Sequence, residues 1–143
     1  MSTTTAAELS ADPFVGQLVV ESVRSRHQRW MQGLLACGAD LDDPRDRVLA
    51  VFDHLERAST SERLDCEDHG EPDLTHEHLR QVEAHIAERC AAAALPAHLG
   101  QALTLLVQGA RVGVAVHRST QPVRSARTAA AMLLAVYEGE ALF

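Results

Sequence analysis

The segments LPAHLGQALTLLVQGARVGVAVH (95–117) and PVRSARTAAAMLLAVY (122–137) decide the fold. In the first, Leu99, Ala102, Leu103, Leu106, Ala110, Gly113 and Val116 recur at three- and four-residue spacing, the signature of one apolar helical face. Leu105 and Val112, with Val107 and Val114 in part, widen that stripe beyond what one core contact requires. The second segment is dominated by Ala and Leu, through Ala126, Ala129, Ala130, Leu133, Leu134 and Val136. The pattern predicts two antiparallel helices, Pro96 to about Val116 and about Pro122 to Tyr137. Gly109 and Gly113 sit one turn apart, and each costs about 1 kcal/mol relative to Ala inside a helix. A close helix backbone is expected at that point. Two wide-faced, small-residue helices in succession read as half of a four-helix dimer interface, because a lone copy leaves an apolar face wet.

Upstream, Asp12-Pro13 and Asp43-Pro44 pair an N-cap carboxylate with proline at the first helical position. They open helices expected over Pro13 to Cys37 and Pro44 to about Ser59. Leu18, Val19, Val23, Trp30 and Leu34 form the inner face of the first, and Gly38 ends it. Val48, Val51, Phe52 and Leu55 form the buried face of the second. Residues 60–73 carry few apolar groups and read as a loop or broken helix. A third helix is expected from Asp73 or Thr75 to Ala94, lined by Leu79, Val82, Ile86 and Cys90. No alternating strand pattern occurs. The prediction is an all-α fold, a bundle of about five helices over 13–143, behind a polar, disordered tail at 1–12.

A chain of 143 residues has the length of one domain. Aromatic residues make up only 3% of it, so its core is built from Leu, Val and Ala, which suits helices. All 13 basic residues are Arg, and the net charge is −7. An acidic chain repels phosphate, and no basic patch with interleaved aromatics is present, so direct nucleic-acid binding is not expected. The 3 Cys are odd in number and too sparse for a disulfide scaffold, which points to a reducing cytoplasm. No continuous apolar run of about 18 residues occurs, and no membrane span is expected.

The segments 95–112 and 126–134, with DPRDRVLAVFDHL (43–55), resemble the TetR family of transcriptional regulators. The resemblance covers about residues 17–137. It implies that the last two helices make a homodimer through residues 96–137, and that a small-molecule effector binds within the helical bundle. His76 and His85 fall near two histidines common in one subgroup of that family. Many relatives place a Gly-Cys-Pro-Phe-like element near residues 60–73, where this chain keeps only Cys66 in an acidic, histidine-bearing segment. Only about 15 residues precede the first core helix, and they carry no Arg, whereas the family's DNA reader is a helix-turn-helix of about three helices. The expectation is therefore an effector-binding and dimerisation domain without its own DNA reader, taking a mostly apolar ligand.

The residues expected at that pocket are inward and either large or polar. Trp30, Leu34, Phe52 and Leu55 supply apolar walls, with core packing as the alternative reading of Trp30 and Phe52. Gln108 carries an amide that needs a partner if buried. Val112, Cys66 and His85 complete the set. Arg111 reads as a solvated charge, and His117 as a partner for its helix's C-terminal dipole.

An alternative is a metal- or haem-binding protein using Cys66, His69, His76, His78 and His85, side chains of the type that hold zinc, nickel or copper. His76 and His78 point roughly 200° apart on one helix, so they join a site only if the helix starts between them. A small enzyme built on Cys66 or His85 with Glu83 or Asp68 is the third reading. No nucleophile elbow or Gly-rich phosphate loop supports it. The sequence leaves the cofactor unknown.

Overall fold

The computed structural model describes the backbone of residues 13–61 and 72–140, and side-chain surroundings within 22–60 and 76–137. The tail at 1–12, Cys66 and His69 lie outside the described residues, as do the side chains of Leu18 and Val19. Among the described residues the chain is all-helical, with five helices and no strand. They are α1 (Pro13–Ala36), α2 (Pro44–Ser61), α3 (Pro72–Ala92), α4 (Ala97–His117) and α5 (Gln121–Glu140).

Each of the 5 prolines stands at the start of a helix. Pro13, Pro44 and Pro72 are first residues, Pro96 is the N-cap of α4, and Pro122 is the second residue of α5. Proline lacks the N–H that a first turn leaves unbonded, and its ring pre-sets the helical φ. At α2 the Asp43 carboxylate accepts the Arg45 N–H at 2.9 Å, the expected cap.

The stops are equally local. Gly38, at φ +76°, reverses the chain after α1, and a methyl there would also lie 2.7 Å from the Ala50 Cβ. Arg89 of α3 seals the same end. Its guanidinium donates to the carbonyls of Leu34 at 2.8 Å, Cys37 at 2.6 Å and Arg47 at 2.5 Å. A cation at a helix C-terminus meets both the unsatisfied carbonyls and the negative end of the dipole. After α3, Ala94 adopts a left-handed φ of 57°, and the Leu95 N–H returns to the Cys90 carbonyl at 2.9 Å. After α4, Arg118 takes φ 51° and donates its N–H to Val114. A three-residue turn then sends α5 back along α4.

α4 packs on α3 and α5, α2 packs on α5 and α3, and α1 lies across α2 and α3. The core runs through Leu34, Phe52, Leu55, Ile86, Leu99 and Leu103, each at most 2% exposed. The buried face of α4 is Leu99, Gly100, Leu103, Thr104, Val107, Ala110 and Val114. This face is rotated from the stripe read in the sequence. Val107 and Val114 are core, and Val116, expected inside, is 70% exposed. The error arises because α4 is apolar nearly all round, so periodicity alone does not fix its rotation. Among the described residues α4 alone is long and apolar enough to cross a membrane by length and composition.

The two glycines separate. A methyl at Gly113 would lie 2.8 Å from Pro122 Cβ, so α5 does approach closely there, while a methyl at Gly109 would meet nothing within 4 Å.

Candidate functional site: a buried histidine, tryptophan and arginine cluster

Polar side chains occupy core positions on four helices. On α1, Val23, His27, Trp30 and Leu34 follow a four-three-four spacing, so His27 shares the inward stripe. On α2, His54 stands beside Val51 and Leu55. On α3, His78 precedes the buried Val82 by one turn, and on α4, Arg111 follows Val107 by one turn. The fold brings these positions to one place. The His27 and His78 rings stack with centroids 4.3 Å apart and planes 15° from parallel. Trp30 meets His54 edge-on at 4.7 Å and His78 at 5.0 Å. The Arg111 guanidinium lies 4.9 Å from the Trp30 ring centre, a cation–π contact, and its Nη1 is 3.3 Å from His78 Nε2. A guanidinium can only donate, so His78 Nε2 is the acceptor and its proton resides on Nδ1.

His54 is held against bare backbone. A methyl at Gly33 would lie 2.6 Å from its Cε1, and the ring bonds to the Trp30 main chain. Burial, and then the Arg57 guanidinium, push its pKa down from 6.5 to about 4, with smaller contributions from Arg89 and Arg111; the Trp30 bond opposes them. His54 is therefore neutral at pH 7. Its Nε2 has no hydrogen-bond partner among the described residues.

A cleft of about 420 Å³ runs between α1 and α3 at the edge of this cluster. Met31 and Leu35 give it an apolar side, Arg24, Gln28, Gln32, Glu77 and Gln81 a polar one, and His27 and His78 line it as well. His78 is only 3% exposed.

The residues singled out in the sequence are dispersed around this centre. Trp30 lies at its middle. Leu34, Phe52 and Leu55 are packed in the adjoining apolar core. His85 is half-buried, both ring nitrogens lack a partner among the described residues, and burial and Arg89 lower its pKa. Gln108 is half-buried on α4. Val112 is 65% exposed on the opposite, outer side of α4, away from the bundle interior in which it was expected. Arg111, read as a solvated charge, is half-buried over Trp30. His27 and His54 were not anticipated; the available signal was a histidine at a stripe position. His76 is exposed and His78 buried, as their angular separation requires. Among the described residues, no group of three or more His, Cys, Asp or Glu side chains is placed to hold a metal ion. Cys37 and Cys90 are buried free thiols, and burial raises that of Cys90.

A second feature lies on the far side of α4. Ala102, Leu105, Leu106, Ala129, Met132, Leu133 and Val136 line an almost wholly apolar groove of about 600 Å³ along α4 and α5. Leu105, Met132 and Val136 are 69%, 67% and 57% exposed, and Val116 continues the face. Compared with family models, with curated proteins and with solved structures, the chain matches none.

Proposed function

We propose that the chain is an effector-binding and dimerisation domain of the kind found in TetR-type regulators, in which α4 and α5 pair with the same helices of a second copy. The observation that carries this reading is the apolar outer face of the α4–α5 hairpin. Contiguous exposed apolar surface of this kind marks an interaction site, and a helical hairpin related to itself by a two-fold axis buries it as a four-helix bundle. The groove between the helices offers a seat for Leu105 and Met132 of the second copy. Gly109, on the same side of α4, presents no side chain to hold a partner helix away.

The effector belongs in the α1–α3 cleft, where Met31 and Leu35 suit the apolar body expected of it. The polar wall of that cleft adds a requirement for hydrogen-bonding groups on the same molecule. Nothing in this reading calls for catalysis, and the net charge of −7 argues against direct contact with nucleic acid.

Native mass spectrometry of the untagged protein tests both parts. A dimer is expected, with Leu105→Glu giving a monomer of unchanged helicity; an organic mass retained by the wild type identifies the effector. A wild-type monomer at micromolar concentration would remove the dimerisation half of the proposal. A dimer that Leu105→Glu leaves intact would remove the assigned surface.

A further inference from the structure

The two walls of the α1–α3 cleft carry opposite charges. The helices run side by side in the same direction, since His27 meets His78 near one end and Arg89 reaches the carbonyls of Leu34 and Cys37 near the other. Arg24, one turn before His27, and Glu77, beside His78, therefore stand on opposite walls at about one level. They do not pair. Neither makes an ion pair among the described residues, and Glu77 accepts only a long bond of 3.5 Å from Gln81. Arg124 and Arg127 of α5, by contrast, hold Glu56 and Asp53 at 2.8 and 3.0 Å. A gap between unlike charges is filled by a molecule that carries both. On the effector-binding reading of this cleft, we propose that its ligand is a zwitterion with an apolar tail, of the α-amino-acid type. Its carboxylate lies on Arg24, its ammonium on Glu77, and its side chain runs over Met31 toward Leu35.

The residue types suit each part of that molecule. A guanidinium presents a planar fork to two carboxylate oxygens, and a carboxylate accepts from any of three ammonium N–H groups. Gln28, one turn after Arg24, has no hydrogen bond among the described residues and offers an amide N–H to the same carboxylate. Met31 and Leu35 follow Arg24 along α1 at about 10 and 16 Å, given a rise of 1.5 Å per residue. The polar head and the apolar body are thus met at different levels of one cleft. Its volume of about 420 Å³ accommodates a small amphiphile. The pair of charges also selects. A fatty acid leaves Glu77 beside a carboxylate, and an alkylamine brings its cation beside Arg24, so each singly charged analogue meets a like charge.

The test uses α-aminooctanoate as the probe, with octanoate, heptylamine and heptanol as analogues that lack the ammonium, the carboxylate or both. Amide chemical shifts of the full chain are followed at neutral pH. Shifts are expected at residues 24–35 and 77–81. Each solvent-exposed ion pair is expected to contribute about threefold in affinity, so α-aminooctanoate binds most tightly and heptanol least. Arg24→Gln is expected to weaken α-aminooctanoate and octanoate about threefold and to spare heptylamine. Glu77→Gln is expected to weaken α-aminooctanoate and heptylamine and to spare octanoate. Both side chains are exposed, and a purely structural role for either does not produce this crossed pattern. Heptanol binding at these residues as tightly as α-aminooctanoate, or variants that affect all probes alike, would overturn the zwitterion while leaving the cleft as an effector site. No shift at these residues with any probe would remove the effector from the cleft, and the zwitterion with it.

Discussion

Replacing Gly109 and Gly113 by alanine, one at a time, tests how α4 is placed. The two sites share a helix, a residue type and a backbone conformation, so the propensity gain is the same at each, about 1 kcal/mol. They differ in what the new methyl meets. At Gly109 nothing lies within 4 Å, and the whole gain of about 1 kcal/mol is expected as added stability. At Gly113 the methyl would lie 2.8 Å from Pro122 Cβ and 3.0 Å from its Cγ. A proline ring has no rotamer by which to withdraw, so the start of α5 must move. Overpacking of this kind costs about 1–3 kcal/mol, which cancels or exceeds the propensity gain. Gly113→Ala is therefore expected to be less stable than Gly109→Ala by about 1–3 kcal/mol. Both are measured by urea denaturation in a Leu105→Glu background, so that association does not enter, with equal m-values as the check that the comparison is two-state. Equal stability of the two variants, or a more stable Gly113→Ala, would refute the placement of α5 against α4.

Arg89→Lys is expected to lose about 1.5–3 kcal/mol in the same assay, because one ammonium cannot serve the exposed Arg47 carbonyl and the part-buried Leu34 and Cys37 carbonyls together; a loss below about 1 kcal/mol would mean that water replaces the clamp. His54 predicts the sign of a pH effect. Its folded pKa of about 4 lies below the unfolded 6.5, so the unfolded chain binds the proton first. Stability from this residue is complete above pH 6.5 and is lost as pH falls toward 4, by about 3 kcal/mol at 1.36 kcal/mol per unit. Subtracting the profile of His54→Gln from that of the wild type cancels the carboxylates, and a difference that is flat with pH would show that His54 is not held neutral.

Much of the architecture was legible because this chain punctuates itself. Pro13, Pro44, Pro96 and Pro122 with the Gly38 stop delimit helices without reference to tertiary structure, and Val48, Val51, Phe52 and Leu55 state one buried face by spacing alone. Pro72 carries the same signal, although residues 60–73 as a whole have a loop-like composition. The rotation of α4 was not legible. Leu105, Val107, Val112, Val114 and Val116 are nearly equivalent by composition, and only contact with α3 and α5 decides that Val107 and Val114 turn inward. The site was hidden for a related reason. His27, His54, His78 and Arg111 lie on four different helices, so no spacing in one segment shows that they meet.

What each of those four residues does show locally is a polar group at a position where leucine or valine would satisfy the helix and the core. Such positions carry a cost. Burying an imidazole without its full set of partners costs stability that an apolar side chain of similar volume recovers, and the Nε2 of His54, without a partner among the described residues, is a direct instance. The cluster joins α1 to α2, α3 and α4, and α1 lies across α2 and α3. At the proline and glycine boundaries and along Val48, Val51, Phe52 and Leu55, capping and apolar spacing agree with the fold. A conflict between local preference and burial that is repeated on four helices and bordered by a cleft is the pattern expected where function rather than folding sets the residues. α4 then stands between the two features, with Arg111 on the cluster and the adjacent Val112 on the outer apolar side. Under the proposed function, a ligand that displaced Arg111 would act on the same turn of helix that the proposed second copy would grip.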